Sequence, residues 1–192
     1  MTHEVGAIIL AAGFSNRFGS TKLTAKLYNG ATVFEQTLKR VRSAIPNYAV
    51  VTRPVLSEKL KPYEDNLNIF ENAEMGMGAS LAYGIKLANS WNACLVCLAD
   101  MPFIQIETYS AIANELRGNN IVIPVHKKKI GNPVGFGKNF FADLMNLSGD
   151  SGGRTIIQAN QSAIVRLATD DSAILQDIDT QADLEKYQAR TD

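Results

Sequence analysis

Val5-Gly-Ala-Ile-Ile-Leu-Ala-Ala-Gly-Phe-Ser-Asn-Arg-Phe-Gly19 opens on an apolar run and then turns to small residues. Strands that are apolar on both faces belong to sheets covered on both faces. Val5–Leu10 therefore predicts a buried strand, and Ala11–Ser20 the loop that leaves its C-terminal end. The segments that follow alternate in the same way. Val33–Ala44 carries Phe34, Leu38, Val41 and Ile45 at helical spacing behind Thr32 as an N-cap. Further strands are predicted at Tyr48–Thr52, Leu67–Phe70, Ala93–Leu98, Ile121–Val125, Pro133–Phe136 and Ala163–Leu167. Helices are predicted at Leu56–Tyr63, from Gly76 through Ala88, and at Glu107–Leu116, Phe140–Leu147, Gly153–Gln158 and Gln181–Gln188, with Lys127–Lys129 a solvated turn. Strand and helix alternating in this way predict an α/β fold of three layers, a mostly parallel central sheet with helices on both faces. No linker, repeat or low-complexity tract interrupts the chain, so residues 1–192 read as a single domain.

Composition narrows the function classes. The 192 residues are 46% hydrophobic and 20% charged, which excludes a disordered chain. A chain of this length buries about 70% of its surface on folding and needs no disulfide or metal staple. Lys plus Arg and Asp plus Glu both number 19, so no general cationic field exists for nucleic acid. An anionic ligand must be held locally. The apolar run at Val5–Ala12 follows Glu4 rather than a basic segment, which favours a strand over a signal peptide. No apolar stretch is long enough for a membrane span. The expectation is a soluble, cytoplasmic protein. Cys94 and Cys97 lie in a strand-like run and differ by an odd number, so they face opposite sides, about 10 Å apart. That spacing excludes a bridge and predicts two buried thiols.

Three segments are candidates for chemistry. In Leu10-Ala-Ala-Gly-Phe-Ser-Asn-Arg-Phe-Gly19, small residues after the first strand allow backbone N–H groups to approach a phosphate closely. Arg17 and Lys22 add a fork and a point charge for a polyphosphate. The glycine spacing fits neither a Walker A loop nor a dinucleotide fingerprint, and a tight turn with two solvated cations explains the same residues. In Leu98-Ala-Asp-Met-Pro102, Asp100 sits at a strand end, where open α/β sheets place their ligands. It suits a hard cation, or a helix cap. With only two histidines, His3 and His126, Mg²⁺ held by carboxylate and phosphate oxygens fits better than a zinc or iron site. In Gly76-Met-Gly-Ala-Ser-Leu81, two glycines would free the amides of a helix N-terminus, with Ser80 either a cap or a contact to a ligand hydroxyl. Gly131-Asn-Pro-Val134, Gly149-Asp-Ser-Gly-Gly-Arg154 and Asp177-Ile-Asp-Thr180 follow, and the segment ending in Arg154 is a second candidate anion loop.

Taken in order, these motifs resemble the molybdenum cofactor cytidylyltransferases, within the wider group of MobA-like nucleotidyltransferases. The resemblance runs from about residue 7 to residue 185. It implies a Rossmann-like nucleotidyltransferase fold, CTP as nucleotide, molybdopterin as acceptor and Mg²⁺, or Mn²⁺, as cofactor. By position it implies that Leu10, Ala11, Ala12, Gly13, Arg17 and Lys22 hold the triphosphate, with Gly78 and Ser80 near the nucleoside. Asp100 would bind the metal, with Asp179 as a second ligand. Asn132, Gly149, Asp150 and Arg154 would face the pterin. Two positions depart from the pattern: Lys26 stands where many relatives have proline, and Asn132 where many have histidine.

The implied reaction suits the residues. A phosphate monoester has its second pKa at about 6, so the acceptor is already mostly ionised near neutrality. No general base is required, in keeping with the shortage of histidine. Guanylyltransferases of the same cofactor usually carry Leu-Ala-Gly-Gly where this chain has Leu10-Ala-Ala-Gly13. Other small-molecule cytidylyltransferases usually place proline where Thr21 precedes Lys22. A different class is a non-catalytic carrier that delivers the finished cofactor to a molybdenum hydroxylase apoenzyme. Arg17, Lys22 and Asp100 together favour an enzyme.

Overall fold

Val5–Ala11 forms β1, the strand from which the loop of small residues departs. The computed structural model describes residues 4–14, 18 and 21–188. Helix α1 (Val33–Ala44) starts at Thr32 through a reciprocal cap: the Thr32 hydroxyl accepts from Glu35 N–H at 3.1 Å, and the Glu35 carboxylate accepts from Thr32 N–H at 3.3 Å. β2 (Tyr48–Thr52), α2 (Pro54–Leu60) and β3 (Leu67–Ile69) follow. α2 begins two residues before the predicted start, because Pro54 occupies the first helical position, where its missing N–H is not needed. Next come α3 (Met77–Leu87), β4 (Ala93–Leu98), α4 (Ile106–Glu115) and β5 (Ile121–His126). The predicted lysine turn is the tip of a hairpin, with Lys127 and Lys128 at positive φ and Lys129 already in β6 (Lys129–Ile130). β7 (Val134–Gly137), α5 (Phe141–Met145), α6 (Arg154–Ala159), β8 (Ile164–Ala168) and α7 (Gln181–Gln188) complete the described chain.

The strands form one sheet in the order β3-β2-β1-β4-β7-β5-β6, with β8 on β5. β1 pairs in parallel with both β2 and β4, and β5 with β8. Against the common direction run the edge strand β6 and the interior strand β7. β7 returns from the hairpin and inserts antiparallel between β4 and β5. Alternate residues feed two hydrophobic clusters, one per face. Ala7, Ile9 and Leu95 meet Phe34, Leu38 and Ile112 on one side; Ile8, Leu10 and Val96 meet Leu81, Ile85 and Leu144 on the other. The sheet is covered by helices on both faces.

Cys97 lies in the first cluster and Cys94 in the second, as the strand parity requires. Both thiols are free, and burial pushes both pKa values well up, so neither offers a thiolate. Replacing both by alanine should lower stability by about 1–3 kcal/mol and leave turnover unchanged, as read by thermal melts and steady-state kinetics of the same preparation. No helix among the described residues is long and apolar enough to cross a membrane.

Candidate active site

β1 and β4 lie side by side at the centre of the order 3-2-1-4, where the chain first runs to one side of β1 and then to the other. Such a switch point leaves a crevice beyond the C-terminal strand ends. Here it holds a cavity of about 540 Å³. Leu10, Ala11, Ala12, Gly13 and Phe14 form one wall, continuing directly from β1. Two hydrogen bonds fix this wall: Thr52 Oγ1 donates to the Ala11 carbonyl at 3.2 Å, and Ala99 N–H to the Leu10 carbonyl at 3.1 Å.

Asp100 stands opposite. It lies in the turn two residues past the end of β4, between the buried Ala99 and Met101, and lines the cavity. The backbone carbonyl of Asp100 accepts from Ile178 N–H at 3.0 Å, which draws the segment 177–179 alongside. Ile178 is fully buried, and Asp177 and Asp179 on either side of it line the cavity. The rest of that motif anchors α7. The Asp183 carboxylate accepts from Thr180 N–H at 2.9 Å and from Thr180 Oγ1 at 2.7 Å, while Asp183 N–H donates back to Thr180 Oγ1 at 3.1 Å. The Thr180 hydroxyl thereby holds the Asp183 carboxyl below its ordinary pKa.

Lys22 joins these pieces. Its ammonium lies 2.6 Å from Asp100 Oδ2 and 3.0 Å from Asp179 Oδ1. Burial works against the charged lysine, but the two carboxylates outweigh it and hold its pKa above the ordinary value. Burial likewise pushes the Asp100 carboxyl up, against the pull of Lys22. The other oxygen, Asp100 Oδ1, is buried with no hydrogen-bond partner. Glu74, Asp150 and Asp177 bring the carboxylates on the cavity wall to five, with Asp100 and Asp179. Bare triphosphate would be repelled by such a wall, whereas a divalent cation bridging it to phosphate oxygens would be held. Hard carboxylate oxygens, one of them without a partner, suit Mg²⁺ or Mn²⁺. Among the described residues no three metal-ligating side chains are already grouped closely enough to hold an ion.

The start of α3 differs from the expectation that its amides are open. Gly78 N–H donates to the Gly149 carbonyl at 2.7 Å, and Met77 N–H to Asp150 Oδ1 at 3.3 Å. The loop at 149–150 therefore occupies the helix N-terminus. This contact also explains the glycine at 76. Gly76 has φ 101°, and a Cβ there would lie 2.5 Å from the Gly149 carbonyl. Ser80 lines the cavity, but its hydroxyl bonds back to the Gly76 carbonyl at 3.2 Å. Of the remaining residues singled out in the sequence, Asp150 lines the cavity, whereas Gly78, Asn132, Gly149 and Arg154 do not. Arg17 lies outside the described residues. Asn132 belongs to the crossing from β6 to β7 and follows Gly131, whose Cβ would lie 2.4 Å from the Ile174 carbonyl. Glu74, Ala73 and Leu23 line the cavity without any signal in the sequence.

Comparisons with known proteins bear on the family and the fold. The model of the MobA-like NTP transferase domain matches residues 7–164. Purine catabolism protein PucB of Bacillus subtilis is 28% identical over 187 residues, covering 90% of each chain. A probable molybdenum cofactor guanylyltransferase of Natranaerobius thermophilus is 27% identical over 132 residues, covering 65% of this chain and 62% of its own. Rv0371c from Mycobacterium tuberculosis superposes with a TM-score of 0.87 at 23% identity, over 98% of this chain and 99% of that one. A structure of Rv0371c in complex with manganese superposes with a TM-score of 0.80 at 20% identity, over 97% and 98%. The fold is thus that of the Rossmann-like nucleotidyltransferases, and the chain belongs to the MobA-like NTP transferase domain family.

Proposed function

We propose that this nucleotidyltransferase moves CMP from CTP onto the phosphate of molybdopterin, releasing pyrophosphate. The observation that carries the reading is Lys22 between Asp100 and Asp179, facing the Ala11–Gly13 wall in one cavity. A phosphate oxygen of the acceptor forms a bond to the α-phosphorus of CTP, and the bond from that phosphorus to the β-phosphate bridging oxygen breaks. The acceptor needs no deprotonation, as its second ionisation is at a pKa of about 6. The protein aligns the two phosphates and neutralises charge on the departing pyrophosphate. Ala11, Ala12 and Gly13 offer close backbone approach to the triphosphate, and Lys22 and Arg17 the cations. Asp100 and Asp179 would hold Mg²⁺ or Mn²⁺, which supplies charge neutralisation across the phosphate oxygens when bound. The complex of Rv0371c with manganese supports that choice of ion. Asn132, Gly149, Asp150 and Arg154 are assigned to the acceptor side. A single domain working in the cytoplasm and handing its product to a molybdenum hydroxylase belongs to the same proposal.

The guanylyltransferase relative favours GTP as a second reading. Ala12 separates the two. It is buried in the cavity wall, and its Cβ narrows the space beside a base. A pyrimidine needs less room, and one methyl group discriminates by about 1–3 kcal/mol. Ala12→Gly should raise kcat/KM for GTP relative to CTP by roughly tenfold. A wild type that prefers GTP would replace the cytidylyl reading by the guanylyl one, and an unchanged ratio in the variant would clear Ala12 of the role.

A further inference from the structure

The acidic wall of the cavity draws on two stretches of chain, the turn carrying Asp100 and the segment carrying Asp177 and Asp179. Neither is a strand or a helix, so their spacing depends on what ties them together. One tie lies at the cavity itself, where Ile178 N–H donates to the Asp100 carbonyl. A second lies farther along both stretches, at Asp171. This residue is 4% exposed and does not line the cavity. Its Oδ2 accepts from Gln105 N–H at 2.9 Å and from Thr108 Oγ1 at 2.7 Å, at the start of α4. Its Oδ1 accepts from Ala173 N–H at 3.0 Å, in the 3₁₀ turn Ser172–Leu175 that leads to Asp177. The two oxygens of one carboxylate therefore serve two different stretches. Gln105, the N-cap of α4, makes no side-chain cap of its own. From α1, Arg40 Nη1 donates to the carbonyls of Phe103 and Ile104 at 3.1 and 2.9 Å, which fastens the same turn to a third element.

We propose that Asp171 is a positioning residue for the metal–nucleotide site, fixing the separation of Asp100 from Asp177 and Asp179 without touching metal or substrate. This rests on the nucleotidyl-transfer reading above and adds to it the device that sets metal affinity. Two stretches joined at one point can pivot about it, whereas a second point of attachment leaves one spacing. Met101 and Ile104 on one stretch, and Ala173, Ile174 and Ile178 on the other, are buried between the two ties. A close-packed interior transmits a displacement rather than absorbing it, so a shift at Asp171 reaches the cavity. The residue type suits the task. An ionised carboxylate offers two acceptor oxygens and no donor, and can hold both stretches at once. Mg²⁺ demands near-ideal octahedral geometry, so its affinity depends on how closely the carboxylates are held to one arrangement. Groups that orient the ligands of a metal contribute about 10–100-fold to its binding.

The test is Mn²⁺ binding in the presence of CTP or GTP and without molybdopterin, with free Mn²⁺ read from its electron paramagnetic resonance signal and folding from melting curves. Asp171→Asn keeps the size of the side chain. However its amide turns, either α4 or the 3₁₀ turn meets an NH₂ group in place of an oxygen, so one tie is lost. The expected variant binds Mn²⁺ about tenfold more weakly than wild type. Thr108→Val removes one donor at nearly unchanged shape. It should shift the affinity in the same direction by less, and it carries the test if Asp171→Asn does not fold. Cys94→Ala with Cys97→Ala is the destabilised control and should bind Mn²⁺ as wild type does. Wild-type affinity in Asp171→Asn, or in Thr108→Val where that variant carries the test, would make Asp171 a helix cap only and overturn the proposal. Equal weakening in the cysteine control would trace the effect to lost stability and overturn it as well. Failure of the wild type to bind Mn²⁺ with either nucleotide would overturn the nucleotidyl-transfer reading, and this one with it.

Discussion

Asp100→Asn should reduce turnover by a factor of about a hundred or more and leave the protein folded. Loss of one positioned electrostatic contact at a developing charge lowers kcat by about 10²–10³. Asp100 is proposed both as a metal ligand and as the partner of Lys22, so the neutral amide removes two such contributions. The fold should tolerate the change. Burial already pushes the Asp100 carboxyl up, so the charge is held there at a stability penalty, and Lys22 keeps Asp179 at 3.0 Å. The measurements are kcat with Mg²⁺ and a thermal melt on one preparation. Full turnover at ordinary Mg²⁺ concentration would remove Asp100 from the mechanism.

Lys22→Met should be the second large effect. A charge-assisted contact to phosphate contributes about 1.5–3 kcal/mol, so kcat/KM should fall by roughly ten- to a hundredfold. This variant should also lose stability, on the order of 3 kcal/mol, because Asp100 would be left as a buried charge without its cation. Adding Asp100→Asn to Lys22→Met should restore much of that stability and none of the activity. If Lys22→Met melts and turns over as wild type does, the ammonium is a bystander in the cavity.

Much of the fold was legible because the central strands are apolar on both faces and the helices carry their own boundaries. Thr32 marks the start of α1, and the parity of Cys94 and Cys97 placed each on its own face of β4. The direction of β7 was not legible: four residues, Val134–Gly137, carry no record of which neighbours they insert between. That depends on the hairpin at Lys127 and Lys128, whose positive φ angles no glycine announces.

Asp100 and Lys22 stood out by residue type and position, but their ion pair with Asp179 links residues 157 positions apart in the chain. Spacing cannot reveal such a contact. The glycines at 76 and 78 misled in part. Glycine signals close approach, and here the approaching group is the loop at 149–150 rather than a ligand. Asp171 was silent because its partners Gln105 and Thr108 lie 66 and 63 positions away in the chain.

Transfer of label from CTP carrying radioactive α-phosphate tests the central claim most directly. The protein is incubated with molybdopterin and Mg²⁺, and the products are separated. The account predicts that α-label appears in a molybdopterin–cytosine dinucleotide while the β- and γ-phosphates leave together as pyrophosphate, with Asp100→Asn showing neither. Retention of all α-label in CTP, with molybdopterin bound but unchanged and no transfer from GTP either, would contradict it and make the protein a carrier.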